Sequence, residues 1–259
     1  MSFCVTTIQA NLHWENKKAN YKLFESAFKE VSKDSNLLIL PEMFTTGFSM
    51  NTDILYESMN GPSVNWMIIQ AKKNKKHIAG SLIIKEANNF FNRLIIASPN
   101  GNIFYYDKKH LFRYANENSK YSAGKKELIL KINGVNIAFF ICYDLRFPVW
   151  SRNTKLKYDV AVYIANWPEK RKKQWITLLK ARAIENQSFV IGVNRIGSDG
   201  NSINYSGESG VYNYLGEKIS TTKSDEFSVE NSNLDIKALN SYRMKFPTHL
   251  DADEFKLSK

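Results

Sequence analysis

A lone cysteine closes an apolar run in "NIAFFICYDLRFP", residues 136–148, and a tyrosine, an acid, an arginine and a proline follow it. Cys142 is one of 2 cysteines in 259 residues. A thiol attacks carbon well only as its thiolate, so it needs a base to take its proton and a cation or dipole to hold the charge. Of the 4 histidines (His13, His77, His110 and His249), His110 alone stands among other reactive groups, in "YDKKHLF" at 106–112. The other reasonable base is a carboxylate in a dry pocket, where burial raises its pKa. Glu42, in "LILPEMFTTGF", has such neighbours; the pattern alone divides evenly between a base and a buried, paired structural acid. Cys4, in the alternating run "FCVTTI", reads as a small apolar core residue.

The elements that must place these groups alternate. Apolar strand-like runs are "FCVTTI", "SNLLIL", "HIAGSLIIK", "RLIIAS", "VNIAFFI", "YDVAVYIA" and "SFVIGVN". Helical spacing appears over 17–33, over 62–75 with Pro62 in the first turn, and over 170–187. "SPNGN" at 98–102 predicts a tight hairpin turn, and the glycine-bearing stretch 203–219 predicts a late hairpin. Apolar strands between helices imply α/β architecture, with a mixed sheet covered by helices. Four strands end in polar groups, at Glu42, Cys142, Asn166 and Arg195. In covered sheets ligands bind beyond strand ends, so a shared rim would bring these four to one pocket.

With 43% apolar residues and neither repeat nor linker, residues 1–259 are expected to form one domain. No secretory leader or membrane-length run is visible, which predicts a cytoplasmic protein. Two cysteines are too few for a disulfide framework or a C-x-x-C zinc site. A net charge of +11 raises nucleic-acid binding. Its lysine clusters, such as "KKNKKH" and "PEKRKKQW", come without a nucleic-acid motif, so a solvated surface that attracts a small anion is the better reading. No phosphate loop or dinucleotide fingerprint appears.

"LILPEMFTTGF", "YDKKHLF" and "FFICYDLRFP", in this order and at this wide spacing, resemble the three signature segments of the nitrilase superfamily of carbon–nitrogen hydrolases. The likeness runs from about Ser2 to about Leu250. It implies a Glu-Lys-Cys triad of Glu42, Lys108 and Cys142. Lys108 is chosen over Lys109 because it fits the family's K-x-H-L pattern. A second glutamate of the family maps to Glu117, seven residues before Gly124. "CYDLRFP", "ANWP", "ARAIENQ", "VNRIG" and "YSGESGVYNYLGE" are similar to the omega-amidase branch.

That resemblance implies a four-layer α-β-β-α sandwich of two mixed sheets with helices outside, a homodimer, and no metal or organic cofactor. It also implies hydrolysis of the terminal amide of 2-oxo acid monoamides such as 2-oxoglutaramate. Glu42 would move protons, Lys108 and the Tyr143 N–H would hold the oxyanion, and Glu117 would orient the lysine or assist the base. Lys108 is also expected to favour the thiolate. A substrate carboxylate favours an arginine fork, for which Arg146 and Arg195 are candidates, with Arg182 behind them. A structural ion pair is as good a reading of each. Tyr143 and Trp167 are expected in the pocket wall, Asp144 as a helix cap and His110 as a structural hydrogen-bonding residue. The rivals are another reaction of the superfamily (on a nitrile, a carbamoyl group or a deaminated-glutathione-type amide), a Cys–His hydrolase using His110, and a basic nucleic-acid-binding protein.

Overall fold

The computed structural model describes residues 2–257. Strand β1 (Ser2–Gln9) leads through α1 (Lys17–Ala27) to β2 (Ser35–Ile39). Helices α2 (Thr52–Leu55) and α3 (Pro62–Asn74) precede β3 (His77–Glu86), β4 (Asn89–Ala97) and β5 (Ile103–Asp107). Next come α4 (Glu117–Lys120), β6 (Ile129–Ile132), β7 (Val135–Ile141), β8 (Val160–Ala165), α5 (Lys172–Glu185) and β9 (Phe189–Asn194). The chain ends with β10 (Ile196–Ser198), β11 (Asn204–Ser206), β12 (Gly210–Tyr212), β13 (Ser228–Asp235) and α6 (Ile236–Lys245). Local chemistry sets the helix ends. The Asn16 side chain caps α1 by accepting from Ala19 N at 3.1 Å. Pro62 opens α3, and Lys75, in the left-handed region, closes it.

Two sheets result, in the orders β13-β1-β2-β3-β4-β5 and β12-β9-β8-β7-β6. Strands β1, β2 and β3 run parallel, as do β7, β8 and β9, with antiparallel strands at the edges. The period of two in β2 divides its side chains between layers. Leu37 and Ile39 join a core shared with the second sheet, whereas Leu38 and Leu40 pack with Phe24, Val64 and Met67 of α1 and α3. Strands β8 and β9 are buried along their whole length, as both faces are covered. Their outer face meets α5 through Trp175, Leu179 and Ala183. The approach is close enough that a Cβ at Gly192 would lie 2.4 Å from Leu179 Cδ1. The fold is thus the α-β-β-α sandwich that the resemblance implies.

The "SPNGN" turn joins β4 to β5, with Gly101 at φ +90°. The stretch 203–219 is not one hairpin. β11 pairs with β10, β12 pairs with β9, and a separate tight turn brings Tyr212 to Lys218. Left-handed backbone at Gly207 and Glu208 separates the two partners. Strand β13 is polar enough to escape an apolar-run search, yet alternation still buries Ser232 and Leu234 against β1. The C-terminal "SYRMK" continues α6. Among the described residues no helix is long and apolar enough to cross a membrane.

Truncating Leu179 to Ala removes a buried contact between α5 and β9. It is expected to cost about 2–5 kcal/mol, measured as a lower urea midpoint with an unchanged slope.

Candidate active site

β2 and β5 run in the same direction, so their C-terminal ends share a rim of the first sheet. β7, β8 and β9 end together on the second. Glu42 lies just beyond β2 and is fully buried. The next residue, Met43, takes φ 45°, and its N–H donates to Ser81 Oγ at 2.7 Å. Glu42 Oε1 accepts from Lys108 Nζ at 2.8 Å and from Asn92 Nδ2 at 2.7 Å. Its Oε2 accepts from Asn166 N at 2.8 Å, and Asn166 Nδ2 donates to the Glu42 carbonyl at 2.6 Å. One carboxylate thereby joins the two rims.

Lys108 follows β5, and its ammonium also donates to both oxygens of Glu117, at 3.0 Å each. Glu117 opens α4, and its Oε2 accepts from Phe112 N at 2.6 Å. Gly124 N donates to Lys108 O at 2.8 Å, and a Cβ at Gly124 would stand 2.0 Å from Asp107 O. Only glycine lets this loop lie against the strand that carries the lysine. Cys142 starts a short 3₁₀ turn with φ 45°, a left-handed backbone that costs about 1–3 kcal/mol outside glycine. Its Sγ lies 3.9 Å from Asn166 O.

One ammonium thus meets two carboxylates with no exposed surface on any of the three side chains. Burial alone would drive the lysine neutral, but Glu117, Glu42 and Cys142 outweigh it and hold Lys108 above its ordinary pKa. Burial raises the Glu117 carboxyl, with Lys108 opposing. Burial likewise pushes the Cys142 thiol far up, Glu42 adds to the rise, and Lys108 offsets only part of it. The resting sulfur is therefore a thiol. Burial thus favours the protonated sulfur over the thiolate that the sequence-based reading expects Lys108 to hold.

Cys142 and Lys108 open on a cavity of about 220 Å³, walled also by Tyr143, Arg146, Asn166 and Trp167. Arg146 stacks on Trp167, 4.9 Å from the ring centre. Glu42 and Glu117 lie behind Lys108, outside that wall. Arg195 also ends a strand on this rim, but its guanidinium turns away from the cavity. It donates to Asn11 Oδ1 and to the carbonyls of Leu12, Ile196 and Ser198 at 3.0–3.3 Å. Satisfying those carbonyls holds it behind Tyr205, so it corrects the sequence-based expectation of substrate contact. Arg182 donates to Leu145 O at 2.7 Å and braces the cysteine turn from behind.

Sequence reading missed Asn92, Arg171, Phe112 and Tyr205. Asn92 interrupts a strand otherwise apolar on its buried side, which was a usable signal. Arg171 sits in a lysine-rich run and looked like surface; its guanidinium lies 5.3 Å from the Phe112 ring and lines the cavity. Among the described residues neither Arg146 nor Arg171 pairs with a carboxylate.

The carbon–nitrogen hydrolase family model matches residues 4–244. Omega-amidase YafV of Escherichia coli (strain K12) is 42% identical over 253 residues, 98% of each chain. The 2-oxoglutaramate amidase of Bacillus subtilis (strain 168) is 36% identical over 203 residues, 77% of this chain and 78% of that one. The crystal structure of XC1258 from Xanthomonas campestris, a CN-hydrolase superfamily protein with an arsenic adduct in its active site, is 38% identical. It covers 100% of both chains at a TM-score of 0.96.

Lys108→Met keeps the length of the side chain but leaves two buried carboxylates without a cation. A destabilisation of about 3–5 kcal/mol at neutral pH is expected. The sign of its pH dependence follows from Glu117, whose folded pKa is already raised and rises further without the ammonium. A carboxyl raised on folding favours the native state fully only below its unfolded value and loses that contribution as pH rises above it. Urea unfolding should therefore find the variant's deficit larger at pH 8 than at pH 5; a pH-independent deficit would contradict the charge cluster.

Proposed function

The chain belongs to the carbon–nitrogen hydrolase family, in the omega-amidase branch of the nitrilase superfamily, and acts on non-peptide carbon–nitrogen bonds; from that premise we propose that it hydrolyses the terminal amide of a small 2-oxo acid monoamide, 2-oxoglutaramate or a close analogue, through a thioester on Cys142. The observation that carries this reading is a pair of guanidiniums without a carboxylate partner among the described residues, Arg146 and Arg171, in the same small cavity as the thiol. A volume of about 220 Å³ corresponds to roughly seven waters, enough for a short dicarboxylate half-amide. The arginines offer charge-assisted bonds to its carboxylate, and the aromatic wall keeps water away.

In this proposal Glu42 takes the thiol proton as Sγ bonds the amide carbon, and the carbonyl electron pair moves onto oxygen. Lys108 Nζ and the Tyr143 N–H hold that oxyanion; losing one such donor costs about 3–4 kcal/mol of barrier. Collapse breaks the carbon–nitrogen bond, and Glu42 gives its proton to the departing ammonia. Water, deprotonated by Glu42, then attacks the thioester and expels the sulfur, which recovers the proton. Glu117 holds the lysine throughout. The Oδ1 of Asn166, buried and without a partner among the described residues, would accept from the substrate amide.

Ammonia release from a panel of oxo-acid amides, nitriles and carbamoyl amino acids tests this. The oxo-acid half-amides should turn over fastest, and Cys142→Ala should abolish the activity. Arg171→Ala and Arg146→Ala should raise KM for the anionic amide while leaving an uncharged amide little changed. A nitrile or carbamoyl substrate leading the panel, or arginine variants without charge preference, would overturn the substrate assignment.

The same reading includes a cytoplasmic homodimer. Ile184, Leu215 and Phe246 are exposed around α5 and α6, an apolar face suited to pairing. Sedimentation in dilute buffer should give twice the 29.9 kDa chain mass; a monomer throughout would refute pairing, and activity confined to an extracytoplasmic fraction would refute the location.

A further inference from the structure

Asp144 stands two residues beyond Cys142, fully buried and outside the cavity wall. Its carboxylate meets four donors. Oδ2 accepts from Ile141 N at 3.0 Å and from the Tyr106 hydroxyl at 2.7 Å. Oδ1 accepts from His110 N at 2.9 Å and lies 2.8 Å from His110 Nδ1. An ionised carboxylate has about four lone-pair sites, so this one is saturated. Sequence reading expected Asp144 to cap a helix. It does close the cysteine turn through Ile141 N, but three of its four contacts reach elsewhere.

The three residues that Asp144 binds have a definite place in the chain. Tyr106 and His110 lie two residues to either side of Lys108, and Ile141 directly precedes Cys142. The segment with the ammonium and the turn with the thiol are thus tied to one carboxylate between them. Both ties are themselves held. Trp150 Nε1 donates to the Tyr106 oxygen at 3.0 Å. The His110 ring stacks on Phe147 with centres 3.8 Å apart and planes 8° from parallel. The left-handed backbone at Cys142 also needs its surroundings to hold it, and the bond from Ile141 N is a short closure around it.

We propose that Asp144 is a positioning residue for hydrolysis: by binding Tyr106, His110 and Ile141 at once, it fixes Lys108 relative to the Cys142 sulfur. This rests on the proposal that Lys108 and Cys142 act together on one carbonyl. No neutral side chain of the same shape can replace it. An asparagine supplies one acceptor oxygen and turns an NH₂ group toward donors, leaving buried groups unsatisfied. Glutamate reaches one carbon too far between two fixed segments. His110 accordingly serves as a ligand of Asp144, not as the base of a Cys–His pair.

The test uses Asp144→Asn and Tyr106→Phe in the full chain, with two readouts. One is amide turnover. The other is the pH profile of iodoacetamide alkylation at Cys142, which does not depend on the identity of the substrate; Cys142→Ala supplies its background. In Asp144→Asn, kcat should fall on the order of 10²-fold with KM nearly unchanged, the response to a misplacement of about 1 Å. The alkylation midpoint should move to higher pH, because a displaced Lys108 opposes burial and Glu42 less well. Tyr106→Phe should shift both in the same direction by less. A folded Asp144→Asn protein with wild-type kcat and alkylation profile overturns the proposal, as does a loss confined to melting temperature. Should that variant fail to fold, Tyr106→Phe decides: an unchanged alkylation profile overturns the proposal and a raised midpoint supports it. Wild-type protein that alkylates as expected yet releases no ammonia from any amide would refute the substrate reading, and the alkylation contrast would still judge Asp144.

Discussion

A single ammonium with two carboxylates, all buried, sets the terms for the rest of the molecule. Several kcal/mol of desolvation per ion must be offset by short charge-assisted bonds and by neighbours that fill the remaining acceptor sites. Asn92 and the Asn166 N–H meet that need on Glu42, and the Phe112 N–H meets it on Glu117. These donors come from β4, the end of β8 and the loop before α4. The charged centre can thus exist only when both sheets are already packed against each other. Neither sheet alone can satisfy Glu42, so the charged cluster is complete only where the two are packed together.

The same arrangement decides how the thiol can work. With two acids and one base beside it in a dry setting, the sulfur holds its proton at rest. In the proposed reaction, negative charge moves from sulfur to a substrate oxygen that Lys108 would hold. The left-handed turns at Met43 and Cys142, each one residue from a reacting group or on it, are the local strain that two crowded strand ends accept to aim side chains at one point.

Much of this is legible in the residues themselves, and the unread parts share a cause. Strand ends bearing Glu42, Cys142 and Asn166 announce themselves because a polar group after an apolar run has few structural explanations. Lys108 is visible only with the K-x-H-L pattern, for Lys109 beside it is chemically equal in one dimension. Arg195 misleads for the opposite reason: it ends a strand on the right rim, yet nearby carbonyls capture its guanidinium. Arg171 hides among lysines, since sequence does not reveal that the start of α5 folds over Phe112. Strand β13 hides because an edge strand needs only alternate burial. Side-chain direction, not strand placement, is what one-dimensional patterns leave out.

In the proposed function, proton transfer and selection occupy different parts of the site. Glu42 and Asp144 lie behind the cavity, bound into both sheets, and Glu117 lies there bound to the first, whereas Arg146, Trp167, Arg171 and Phe112 face it from loops and a helix start. A change among the facing residues alters the shape and charge offered to a ligand and leaves the carboxylates satisfied. A change behind them unbalances buried charge and is felt by the whole fold. Variation in substrate is therefore physically cheap on this scaffold, while variation in the chemistry is not. That asymmetry explains why the motif segments speak clearly about the bond that is cleaved and only faintly about the molecule that carries it.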